Sequence, residues 1–234
     1  MGWWRSVASE TNITHGQRLW LYTLAFIIMC LLVIPTVIVI PMSFSESQYL
    51  EFPPSQWSFR WYNEYLETPR WIKATITSFK VASLTMLVAT PLGTMAAYGL
   101  FVSGSRIGKA VFFLLMTPMI VPVILIAIGT FYVFGKVGIV NTTFGLVMAH
   151  TVLSVPIVMI IITSALRTYD LNQERVAQSL GSTRVRAFFE ITLPQLKFSI
   201  FTAALLAFLT SFDEVIISIF LSGGGNSTLT KQMF

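Results

Sequence analysis

The chain has 234 residues, of which 55% are hydrophobic and 11% charged, with a mean hydropathy of +0.74. Soluble domains carry about a quarter charged residues, so this composition excludes a soluble fold and points to an all-α, polytopic membrane protein. The net charge of +5, from fifteen Lys and Arg against ten Asp and Glu, would favour nucleic acid in a soluble chain; among membrane spans it marks basic inner loops, and no nucleic-acid partner is expected.

Residues 1–18 form a polar tail with Arg5, Arg18, a solvated His15 and a Trp3–Trp4 pair suited to the headgroup level. The first span, Leu19–Phe44, is free of charge and interrupted only by Pro35 and Pro41. It begins too late and runs too long for a cleavable signal. Cys30, the one cysteine, lies inside it; this excludes an intrachain disulfide and leaves a packing role. Residues 45–73, with Trp57, Trp61, Tyr62, Tyr65 and Trp71, read as an interfacial segment on the outer side, either a packing element or a substrate contact.

The second span, Ala74–Val102, carries Lys80 near its start, where it can snorkel outward, and the stripe Ala89, Gly93, Ala97, whose four-residue spacing lets another helix approach closely. The following SGSRIGK is not a phosphate-binding loop: Gly104 and Gly108 stand one residue too close together, and Ala110 occupies the place of the hydroxyl residue that would hold magnesium. The third span, Val111–Phe134, contains Pro118, Pro122 and Gly129, a composition that kinks a helix or lines a pathway. The fourth, Phe144–Leu166, contains His150 and Pro156; His150 is either a pathway residue or is bonded to a neighbouring helix. The fifth covers Leu196–Leu221, and GGGNSTLTKQMF follows as a loop.

Between the fourth and fifth spans lies a polar island, residues 167–195. Asp170 and Gln173 form a capping box that starts a helix over Leu171–Leu180. Gly181 ends it in the left-handed conformation. Ser182 or Thr183 caps a second helix, Arg184–Ile191, which Pro194 stops. This helix–turn–helix knuckle has a DNA-binding look, but the membrane spans on both sides deny it the soluble core a recognition helix needs.

Asp213 and Glu214 interrupt the apolar fifth span, TAALLAFLTSFDEVIISIF. At about 1.5 Å per residue, Asp213 would stand about 24 Å into a ~30 Å hydrocarbon layer. A carboxylate there costs about 2.5–3.5 kcal/mol to insert, so it calls for a basic partner, a wet cavity or a cationic ligand. Asp213, Glu214, Ser211 and His150 are therefore the candidate substrate pathway, with bonding to a neighbouring helix or subunit as the competing reading. With the N-terminus inside, nine of fifteen Lys and Arg fall in inner segments. Five spans then leave the C-terminus outside. No nucleophile–base pair, metal-spaced cluster or cofactor loop is present in the sequence, so no covalent chemistry, cofactor or metal is expected. A secondary transporter using Asp213 or Glu214 as proton carrier, or a membrane scaffold, are the alternatives from other classes.

Glu174, Ala177, Gly181, nine further residues and Ile191-Thr192-Leu193-Pro194 resemble the EAA loop of permease subunits of bacterial ABC importers, with Arg175 and Val176 where that family has a second Glu and the first Ala. SFDEVIISIFLSGGGNSTLTKQMF, with Thr90-Pro91-Leu92-Gly93-Thr94 and Ala96-Ala97-Tyr98, is similar to the spermidine/putrescine branch, with TLTKQMF in place of a TLP element. The resemblance implies a type I ABC importer transmembrane-domain fold: a single permease domain over 1–234, residues 1–18 as a cytoplasmic tail, 45–73 periplasmic, 167–195 a cytoplasmic coupling loop, and a sixth span expected beyond the C-terminus. It implies polyamine or related amine transport across a bacterial inner membrane. It also implies a substrate-binding protein, a second permease subunit and an ATPase dimer that holds ATP and magnesium. Glu174, Arg175, Ala177, Gln178, Ser179, Leu180, Gly181 and Ser182 are the implied ATPase contacts, and Ile191, Leu193 and Pro194 the distal part of the motif.

Overall fold

The computed structural model describes residues 14–234, so Trp3, Trp4 and Arg5 of the expected tail lie outside the described residues. The chain divides into two compact units, Met1–Thr68 and Pro69–Phe234.

In the first unit α1, Leu19–Met42, is apolar on all sides, keeps Pro35 and Pro41 inside an unbroken helix, and buries none of its side chains. Such a helix takes lipid or protein as its solvent. At its end the Ser43 hydroxyl donates to the Ile40 carbonyl at 2.6 Å and meets Tyr62 Oη at 2.7 Å. The following loop folds on Glu51, whose Oε1 accepts from Ser45 Oγ at 2.8 Å and from the Ser55 amide and hydroxyl at 3.1 and 2.8 Å. The Ser45 hydroxyl, then the two Ser55 donors, hold this carboxyl below its usual range. The expected interfacial helix is short, α2 at Arg60–Glu67, with Phe44 stacked on Tyr62 at 5.3 Å. Residues 69–73, assigned from the sequence to the same segment, belong instead to the next helix, because Pro69 is pre-shaped for a first helical turn and holds Thr68 extended.

The second unit is built on α3 (Pro69–Ser103), α6 (Thr143–Arg167) and α9 (Lys197–Phe212), each packed against the other two. The buried face of α3 is made of small residues, including Ala74, Ala82, Ala89, Gly93 and Ala97. The stripe read from the sequence is thus an inter-helix seam. A Cβ added at Gly93 would lie 2.6 Å from Val158 Cγ1 and 3.2 Å from the Val155 carbonyl oxygen, both on α6. Gly93→Ala should therefore lower the melting temperature in detergent, at the about 1–3 kcal/mol usual for overpacking, whereas Gly99→Ala, with nothing within 4 Å, should not.

Two expected spans are broken. The third is not one helix: α4 (Arg106–Ile120) and α5 (Val123–Val137) meet at 101°. Val121 is extended, as the residue before Pro122 tends to be, and the proline cannot donate the hydrogen bond that would carry the helix on. The fifth comprises α9 and α10 (Ile216–Leu221), so Asp213 and Glu214 lie in a break and not inside a continuous helix. Before it, the 77° bend between Arg184–Gln195 and Lys197–Phe212 turns the polar island into the bundle. Among the described residues three stretches, Gly16–Met42, Pro69–Ser103 and Thr143–Arg167, are long and apolar enough to cross a membrane, and the two bent pairs bring the number to five if each is one span.

At the end of the bundle where α3 begins, the Leu229 amide of α11 (Leu229–Gln232) donates to Ser78 Oγ at 2.8 Å. Asn226 Nδ2 donates to the Asn141 carbonyl at 2.8 Å in the same loop cluster.

Candidate functional site

The knuckle is a polar element held by its own caps and side-chain bonds. Asp170 Oδ1 accepts from the Asn172 amide at 2.9 Å and starts α7, Asn172–Ser179. Gln173 does not close the expected capping box; its Oε1 accepts instead from Gln195 Nε2 at 2.5 Å and ties the two ends of the island together. Gly181, at φ +94°, ends the helix with two backbone bonds: Ser182 N to the Ala177 oxygen and Gly181 N to the Gln178 oxygen, each 3.0 Å. This is the paired bonding of a Schellman turn, which needs a residue at ease in the left-handed region. Thr183, not Ser182, caps the next helix by accepting from the Arg186 amide at 3.3 Å.

That helix, α8, runs Arg184–Gln195. Pro194 does not end it at Ile191 as expected. A wider π turn over Phe188–Thr192 precedes the proline and accommodates its ring and missing donor. Ile191 and Leu193 are half-buried and Pro194 is exposed.

One side chain locks the knuckle to the bundle. Glu174 is 3% exposed. Its Oε2 accepts from Tyr98 Oη of α3 at 2.7 Å, and its Oε1 accepts from Thr192 Oγ1 in the π turn. Thr192 also meets Tyr169 Oη at 2.9 Å. Burial, with the Glu174 and Asp170 carboxylates adding to it against the opposing Thr192 bond, pushes the Tyr169 phenol above its usual value, so it stays protonated and able to donate. The Tyr98 ring lies 4.5 Å from that of Phe188. The α7 carboxylate thus joins α3 to the π turn through two hydroxyl donors, with Tyr169 behind Thr192. Tyr98, Tyr169 and Thr192 were not singled out from the sequence; Tyr98 directly follows the small-residue stripe and Thr192 is the variable position of I-x-L-P, which were the available signals.

Around this anchor the rest of α7 faces outward. Arg175, Val176, Gln178, Ser179, Leu180 and Gly181 are exposed, Leu180 at 83%, while Ala177 and Ser182 are half-buried. Of the coupling residues named from the sequence, Glu174 points into the protein, Ala177 and Ser182 are partly covered, and Arg175, Gln178, Ser179, Leu180 and Gly181 form the crest.

The candidate pathway residues separate into different roles. His150 is 1% exposed; its Nδ1 lies 2.8 Å from Ser211 Oγ of α9 and its Nε2 3.5 Å from Ser218 Oγ of α10. It is bonded to neighbouring helices, and both ring nitrogens face hydroxyls. His150→Leu should leave Ser211 without its partner and lower stability by about 1–3 kcal/mol, read as a lower melting temperature with unchanged substrate specificity. Glu214 Oε1 accepts from the Ile217 amide at 3.0 Å and so caps α10. Asp213 is exposed, and its carboxylate takes no partner among the described residues.

A family model described as "Binding-protein-dependent transport system inner membrane component" matches residues 89–233, from the α3 stripe through the knuckle to the last helix. The chain belongs to this family. The permease is a multi-pass membrane transport component and not an enzyme. It is 29% identical over 230 residues to the putrescine transport system permease protein PotI of Escherichia coli K12, covering 95% of this chain and 82% of that protein. It is 30% identical over 210 residues to the spermidine/putrescine transport system permease protein PotC of Haemophilus influenzae, covering 89% of this chain and 81% of that one. Its fold matches a chain of a bacterial ABC transporter involved in the import of the acidic polysaccharide alginate, with a TM-score of 0.71 at 14% identity, over 95% of this chain and 80% of that chain. At that identity the likeness is one of fold, the expected ABC importer transmembrane fold.

Proposed function

We propose that this permease forms the translocation pathway of an ABC importer for putrescine, spermidine or a related amine, and that its 167–195 loop is the cytoplasmic coupling element. The observation that carries the reading is the exposed α7 crest, ending at Gly181 and held to the bundle through Glu174. A rigid, protruding helix end with Leu180, Val176 and Arg175 outward suits a groove on an ATPase subunit, which binds the ATP and magnesium. The N-terminus is then cytoplasmic, a substrate-binding protein delivers cargo on the opposite side, and a second permease subunit completes the pathway. The similarity to PotI and PotC supports a polyamine cargo.

ATP-driven closure of the ATPase pair moves the crest. Because Glu174 ties it to the end of α3 and α8 continues into α9, the motion reaches helices of the core. Asp213, an exposed carboxylate at the α9–α10 break, is the residue of this chain best placed to meet an ammonium group. Asp213→Asn should weaken apparent affinity for the amine about tenfold, the value of one charge-assisted hydrogen bond. Glu214→Gln should lower stability instead. Unchanged amine uptake in Asp213→Asn would remove that residue from the pathway.

The function is tested by purifying the complex assembled on this permease and measuring ATPase stimulation and proteoliposome uptake over putrescine, spermidine and a neutral amino acid. The expected result is uptake that needs ATP and a separate ATPase and favours the amines. Uptake driven by a proton gradient and abolished by an uncoupler at constant ATP would refute it.

A further inference from the structure

At the end of the bundle opposite the knuckle, the first turn of α3 and the segment after α10 enclose a recess of about 380 Å³. Its lining includes Arg70, Lys73, Lys231, Gln232 and the backbone of Gly223–Gly225, and no carboxylate. Arg70 and Lys73 stand three residues apart on one helix face, both exposed and without an ion pair or hydrogen bond to the described residues. Lys231 reaches in from α11. Its Nζ donates to the carbonyls of Ile219, at 3.0 Å, and of Ser222, which orients it and leaves one donor free. The recess also lies at the N-terminus of a 35-residue helix, whose dipole adds positive potential there.

Three cations converge on one small space with nothing to neutralise them, so an anionic group is the occupant the site fits. A polyamine is repelled by it, so it is not a stage of the cargo's route. The place of the recess selects among anions. It sits over the start of α3, the helix that packs on both α6 and α9, and Ala74 in its wall is 2% exposed. An entrance at the end of the core faces a protein docked on that end better than it faces lipid at the flank. We infer that this recess receives an acidic side chain, Asp or Glu, of the importer's external binding protein, and that Arg70, Lys73 and Lys231 set its docking. The inference rests on the importer reading above, which gives this end of the bundle a binding protein to receive.

The test uses the whole importer in nanodiscs, with the purified binding protein that supports transport by the wild type, titrated while ATP hydrolysis is followed. Arg70→Glu with Lys73→Glu should raise the half-stimulating concentration about tenfold at low salt and flatten its salt dependence, with hydrolysis in the absence of the binding protein unchanged. Arg70→Lys with Lys73→Arg should behave as wild type. Arg70→Gln with Lys73→Gln, introduced without charge reversal and checked by its melting temperature, should fall between. An unchanged half-stimulating concentration in the folded variants overturns the inference. So does loss, in those variants, of a thermal shift produced by phosphatidylglycerol over phosphatidylcholine with docking unaffected, which makes the recess a lipid headgroup site. A wild-type complex that no binding protein stimulates would refute the importer reading itself, a separable result.

Discussion

Glu174→Ala should leave the permease in the membrane yet uncouple it, with ATP hydrolysis by the assembled complex persisting while amine uptake per ATP falls by about tenfold or more. The carboxylate is 3% exposed and accepts from Tyr98 Oη and Thr192 Oγ1. Truncation removes the acceptor of both hydroxyls, leaving buried Thr192 with Tyr169 alone, at a cost of about 1–3 kcal/mol, and opens a void where α3, α7 and α8 meet. The loss is local because the α3–α6–α9 core does not include this residue. Glu174→Gln keeps the shape and one acceptor oxygen but turns a second donor toward a hydroxyl, so it should give an intermediate defect. Tyr98→Phe removes a single bond and should be milder still. The graded series, read as uptake per ATP hydrolysed in proteoliposomes, distinguishes a mechanical tie from a general loss of fold, which would lower hydrolysis and uptake together.

Gly181→Val should prevent the ATPase from assembling with the permease. At φ +94° the residue lies where a side chain is strained, about 1–2 kcal/mol for an ordinary L-residue and more for a β-branched one. Nothing lies within 4 Å of a Cβ there, so the penalty comes from the backbone alone. Relief comes only by unwinding the turn, which breaks the Ser182–Ala177 and Gly181–Gln178 bonds and rotates the exposed crest away from α8. Gly181→Asn, tolerated in left-handed turns, should retain most assembly. Co-purification of ATPase with tagged permease, compared across Gly, Asn and Val, reads the ordering directly; equal recovery with Val would show that the turn geometry is not required.

The knuckle was legible because its signals are local: a cap at Asp170, a glycine at the helix end, a threonine before the next helix. Each acts within four residues, the range over which spacing carries meaning. The two broken spans were not legible. Hydropathy reports how apolar a stretch is and says nothing about its direction. Nor does proline decide, since Pro35, Pro91, Pro118 and Pro156 all lie inside unbroken helices while Pro122 sits at a 101° break. The α9–α10 break falls at Asp213 and Glu214 with neither glycine nor proline, and its cap is a carboxylate that reads from the sequence as a buried charge. Glu174 shows the same limit. Its type and place invite a contact with a partner, and only the approach of Tyr98, 76 residues away in sequence, turns it inward.

On the proposed function, the α7 crest is a cytosolic elbow gripped by a separate ATPase. This is tested most directly by placing the only cysteine there, as Leu180→Cys in a Cys30→Ser background, and labelling with a membrane-impermeant thiol reagent. Labelling is expected in inverted vesicles but not in intact cells, with protection when the ATPase is bound. Labelling from the outside of intact cells, or labelling that bound ATPase does not slow, would contradict it.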